Sequence, residues 1–100
     1  MKKIGLELPM EQIVAICRKY RVRELSLFGS ALREDFRPDS DVDFLVEFEP
    51  DAHIGFMELA GMQIELSEVI GRPVDLVPKG GLKPLIRRAV LDSAQVLYAA

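Results

Sequence analysis

The stretch FGSALREDFRPDSDVDFLV, residues 28–46, joins the end of one short apolar run to the start of another and decides how the chain is read. Glu24 to Phe28 is apolar and ends at Gly29, the pattern of a strand feeding a tight turn. Arg33, Glu34, Asp35, Arg37, Pro38 and Asp39 make residues 31–40 too polar for a core, so a helical turn followed by a loop is expected there. From Asp41 to Phe48 the sequence alternates: Val42, Phe44, Val46 and Phe48 interleave with Asp41, Asp43, Leu45 and Glu47. Strand side chains point to opposite faces in turn, so the apolar set faces a core and Asp41 and Asp43 share the other face, about 6.6 Å apart along the strand.

Outward from this strand, helices and strands take turns. Pro9 opens an amphipathic segment to Lys19, with Ile13, Ile16, Cys17 and Tyr20 at helical spacing. Phe56, Leu59, Met62, Leu66, Val69 and Ile70 mark a long helix stopped by Gly71 and Pro73. Pro73 to Val77 reads as a strand and residues 78–81 as a loop. Leu82, Leu85, Ile86 and Ala89 then form one face of a closing helix with Pro84 in its first turn, and Gln95 to Tyr98 returns as a final strand. The expected fold is α/β, a small mixed β-sheet with helices packed on one face, in a single domain over residues 1–100.

Parity applied to Pro73–Val77 sends Val74 and Leu76 to the core and Asp75 to the face of Asp41 and Asp43. If the two strands are neighbours, three carboxylates converge on one patch. Three such groups within about 5 Å would repel by roughly 3 kcal/mol per pair at an effective dielectric near 20, so a cation should offset them. Rigid carboxylates without histidine or thiolate suit Mg²⁺ or Mn²⁺, and a pair of such ions is the usual device for in-line displacement at phosphorus. Gly29 and Ser30 supply the other half: a strand ending in glycine and opening a helical turn offers backbone N–H groups to an anion, and Ser30 can add a hydroxyl. Arg33, one turn later, can add a planar charged clamp. Phosphate on one side and metal on the other describe a nucleoside triphosphate site.

Gly29-Ser30, ten intervening residues and Asp41-Val42-Asp43 resemble the signature of the polymerase-beta-like nucleotidyltransferases, and the brevity resembles their minimal nucleotidyltransferase branch. The resemblance runs from the helix at Pro9–Lys19 to the strand at Pro73–Val77, where Asp75 matches the third family carboxylate. It implies a polymerase-beta-like core in which Asp41, Asp43 and Asp75 are catalytic and hold two Mg²⁺ ions. Gly29, Ser30 and Arg33 would bind the triphosphate of ATP. It further implies an antitoxin that adds AMP to a hydroxyl on a HEPN-type helical toxin partner within a hetero-oligomer. Two other readings stand beside it: a non-enzymatic antitoxin acting by binding alone, and a subunit that modifies a small molecule such as an aminoglycoside. One departure is Glu34, where family members often carry glycine.

Composition narrows the classes. Of the 100 residues, 13 are basic and 16 acidic, and the basic ones are scattered, which argues against direct binding of nucleic acid by charge. Cys17 is the single cysteine and His53 the single histidine, so neither a disulfide framework nor a zinc site is expected. No apolar run reaches membrane-spanning length, and a cytoplasmic location is expected. Leu45 and Val77 should lie on the open face beside the acids, an apolar rim suited to a partner.

Overall fold

The computed structural model describes residues 8–29 and 41–100. Its elements run α1 (Met10–Lys19), β1 (Val22–Phe28), β2 (Val42–Phe48), α2 (Phe56–Ile70), β3 (Val74–Pro78), a 3-10 turn (Lys79–Gly81), α3 (Pro84–Ser93) and β4 (Gln95–Ala99). The strands form one sheet in the order β3-β2-β1-β4. β1 is antiparallel to β2 and β4, whereas β2 and β3 are parallel and joined through α2. The sheet is therefore mixed and the fold α/β, as the alternation of periods predicts.

Local chemistry sets the helix ends. Glu11 in the first turn of α1 and Arg18 and Lys19 in its last complement the helix dipole. Arg21 follows with φ +58, a left-handed conformation that costs a side-chain-bearing residue roughly 1 kcal/mol. Two bonds hold it there: the N–H of Glu49 donates to the Arg21 carbonyl at 2.9 Å, and its guanidinium meets Asp51 at 2.8 Å. At the end of α2, Gly71 takes φ +78 and its N–H donates to the Ser67 carbonyl at 2.8 Å, so the helix stops where glycine removes the penalty.

One core lies between the sheet and the first two helices. Leu25 and Leu27 of β1, Val42, Phe44 and Val46 of β2, and Val74 and Leu76 of β3 pack with Ile13, Ile16 and Cys17 of α1 and Met62 and Leu66 of α2. Burial pushes the Cys17 thiol up to about 11, as befits a packing residue. The α1–α2 seam is closed at the surface by Glu65, which accepts from the Tyr20 hydroxyl and lies 3.0 Å from the Lys19 ammonium.

Two expectations are corrected. Leu45 is not an exposed rim: it is 3% exposed, as is Ser26, its partner across the β1–β2 ladder. The second sheet face is partly covered, since the 3-10 turn lies against β2 and Leu82 is buried outside the main cluster. Val77 is half-buried. The apolar spacing of the closing helix is real, but α3 buries none of its residues, and Leu85 is 97% exposed. Spacing reports that a stripe exists, while α1 and α2 already fill the core that could have covered it.

Tyr20 first, and Lys19 second, hold the Glu65 carboxyl below its ordinary value. A depressed folded pKa stabilises the protein above the unfolded value and loses that contribution as pH falls through the folded one. Urea unfolding should therefore find Tyr20→Phe less stable than the native chain at neutral pH, with the gap closing as the solution is acidified below the glutamate range.

Candidate active site

β2 is the central strand of the site because both neighbours are in register with its first acid. Phe28 of β1 pairs with Asp43 on one side, and Asp75 of β3 pairs with it on the other. Asp43 and Asp75 sit on adjacent strands about 4.8 Å apart and share the face away from α1 and α2, because their neighbours Val42, Phe44, Val74 and Leu76 fill the core. Asp43 is half-buried and Asp75 exposed. Asp41 precedes the strand, exposed, two residues back along the same side. The N–H of Val42 donates to the Pro73 carbonyl at 2.9 Å and pins the start of β2 against the residue that leads into β3.

Gly29 brings its backbone close to the Asp43 carboxylate. It follows β1 with φ +74, and a Cβ built on it would collide with the Asp43 carboxylate. Glycine suits this position for its dihedral, and a side chain there would also have to displace the Asp43 carboxylate. The main chain leaving β1 passes directly over Asp43, so an anion held by that turn would lie beside the carboxylates. Ser30, Arg33 and Glu34, with the helical turn expected over residues 31–40, lie outside the described residues.

The expected gathering of three carboxylates is not realised in full. Among the described residues no group of three His, Cys, Asp or Glu side chains is placed to hold one metal ion. The backbone register sets Asp43 and Asp75 side by side, whereas Asp41 precedes β2, two residues back from Asp43. The donor set still has the chemistry of a hard divalent ion, with two carboxylates on neighbouring rigid strands and a third within a strand's pleat.

The far end of the same face carries a feature that sequence reading missed. Glu24 and Glu47 are direct partners across β1 and β2, a like-charge pair, and Lys79 from the 3-10 turn lies 3.6 Å from each. Each contact is part-exposed and weak singly, yet together they tie the turn after β3 to the two middle strands. Strand parity places Glu24 and Glu47 on one face, but only the register opposes them. The N–H of Leu76 donates to Gln63 Oε1 of α2 at 3.0 Å, another contact no periodicity announces.

Comparison with known proteins places this geometry. The model of the nucleotidyltransferase domain matches residues 10–97. The protein adenylyltransferase MntA of Thermococcus cleftensis is 42% identical over 81 residues, which span 80% of this chain and 77% of that one. A solved structure assigned as a minimal nucleotidyltransferase superposes with a TM-score of 0.71 at 33% identity, covering 85% of each chain. The complex of the tri-AMPylated HEPN toxin of Shewanella oneidensis with its MNT antitoxin gives a TM-score of 0.66 at 17% identity, over 91% of this chain and 70% of that one, a likeness of fold.

Gly29 and Gly71 share a left-handed φ, but a Cβ on Gly71 meets nothing within 4 Å. Gly71→Ala should therefore cost the conformational penalty alone, about 1–2 kcal/mol, and Gly29→Ala measurably more. Removing the obstructing carboxylate with Asp43→Ala should return the excess, so a double-mutant cycle by urea unfolding will give a coupling between positions 29 and 43 and none between 71 and 43.

Proposed function

This chain belongs to the nucleotidyltransferase domain family, and we propose that it transfers AMP from ATP to a hydroxyl on a HEPN-type helical toxin, acting as the antitoxin of that partner. The observation that carries the reading is the register that seats Asp43 between Gly29 and Asp75, with a glycine turn on one side and a second carboxylate on the other. The relative named for protein adenylylation supports the chemistry, and the AMPylated toxin complex of the same fold supports the partner.

In this reading Asp41, Asp43 and Asp75 would together hold two Mg²⁺ ions, with Mn²⁺ as a substitute. The bound ions would neutralise charge on the α-phosphate and on the departing pyrophosphate. The chain's own groups do the rest. The Gly29 turn, the Ser30 hydroxyl and the Arg33 guanidinium grip the triphosphate, and Asp75, at the edge of the pair, orients the acceptor hydroxyl and takes its proton. The acceptor would be a protein hydroxyl such as a tyrosine, and AMP there adds bulk and negative charge that would keep RNA from the toxin.

In this reading the partner would complete the acid-bearing face within a hetero-oligomer. We place the pair in the cytoplasm, where ATP is supplied. No helix among the described residues is long and apolar enough to cross a membrane.

The HEPN-type partner, purified with this chain and given Mg²⁺ and ATP labelled at the α-phosphorus, should take up label and gain the mass of one or more AMP groups. Asp43→Asn should lower transfer roughly 100-fold or more and fail to neutralise the toxin. An Asp43→Asn protein that neutralises as well as the native chain would replace catalysis with inhibition by binding.

A further inference from the structure

β3 carries Asp75 at the edge of the sheet, with β2 on one side and, among the described residues, no strand on the other. In a parallel ladder alternate residues turn their N–H and C=O toward the neighbour, so the groups of Leu76 face outward while those of Asp75 and Val77 face β2. An outward N–H on an edge strand has no ladder partner. Here Gln63 of α2 accepts it at 3.0 Å. One helical turn on, Ser67 donates its hydroxyl to the Arg72 carbonyl at 2.6 Å. Residues four apart share a helix face, so one side of α2 grips the chain both before and after Asp75.

The Leu76 N–H lies in the same peptide plane as the Asp75 carbonyl, and that plane is attached to the Asp75 Cα. Gln63 holds the plane from the helix layer while β2 holds the strand from the other edge. Val74 and Leu76, buried on either side, fix the roll of the strand. The direction of the Asp75 carboxylate on the opposite face therefore depends on a part-buried side chain of α2, on the other side of the sheet.

We infer that Gln63 is a positioning residue for Asp75, with Ser67 as its companion, and that it sets the spacing between the Asp75 and Asp43 carboxylates through the Asp75–Leu76 peptide. The inference rests on the role proposed above for Asp75. Packing of α2 on the sheet would tolerate any side chain of similar volume at position 63, whereas positioning through this bond requires an acceptor.

The test compares Gln63→Met, which keeps the length and removes the acceptor, with Gln63→Glu, which keeps both, and with Ser67→Ala and Asp75→Asn, each in complex with the toxin partner. Three quantities are read: amide exchange at Leu76, Mn²⁺ binding by electron paramagnetic resonance, and kcat and KM for ATP in AMP transfer. In Gln63→Met the Leu76 amide should exchange about tenfold faster and both Mn²⁺ affinity and kcat should fall by about tenfold, the scale of one lost hydrogen bond, while KM for ATP moves less than twofold. Gln63→Glu should restore all three, and Ser67→Ala should give a smaller shift in the same direction, which keeps the test readable if Gln63→Met fails to fold. Faster Leu76 exchange with unchanged Mn²⁺ binding and kcat overturns the positioning role and leaves Asp75 in place. Full activity in Asp75→Asn overturns the role of Asp75 itself, and the inference with it.

Discussion

The arrangement depends on the placement of one carboxylate, Asp43, in the middle of a sheet. Three constraints meet on it: the antiparallel register with Phe28, the parallel register with Asp75, and the passage of the Gly29 backbone so close that a side chain there would displace the carboxylate. None could shift alone. A slip of one residue in β2 would send Asp43 into the core and Phe44 to the open face, exchanging a buried aromatic ring for a buried charge. The hydrophobic alternation of β2 thus holds the acid in position as firmly as any contact the acid makes.

The face that carries the acids is built with charge at both ends and apolar packing between. Asp43 and Asp75 lie at one end. At the other, Lys79 stands between Glu24 and Glu47, and Leu45 and Ser26 are buried in the middle. The Lys79 bridge offsets a like-charge pair that the register imposes at the far end of this face from Asp43 and Asp75.

Much of this was legible from spacing alone. The long helix was read to within its observed ends because Gly71 and Pro73 stop it by a local mechanism, and the strand at Asp41–Phe48 because its period of two has no helical alternative. The expectation of an exposed Leu45 failed for a different reason: parity assigns a face and says nothing of what covers it, and the cover here comes from chain far away in sequence. The buried face expected on the closing helix failed likewise, since a competing surface had already been taken by α1 and α2. For the site, Asp43 and Asp75 were readable as same-face acids, but their adjacency was conditional on strand order.

What the sequence by itself determined is therefore local: which residues form helices and strands, where each stops, and which side of each strand carries its acids, because these follow from dihedral preference and side-chain alternation within a few residues. What only the tertiary structure decided is relational: that β3 lies beside β2 in the register that opposes Asp75 to Asp43, that Gly29 passes over that carboxylate, that Lys79 spans Glu24 and Glu47, and that Gln63 grips the peptide after Asp75. Those depend on how surfaces distant along the chain compete for the same core, and residue spacing carries no record of that competition.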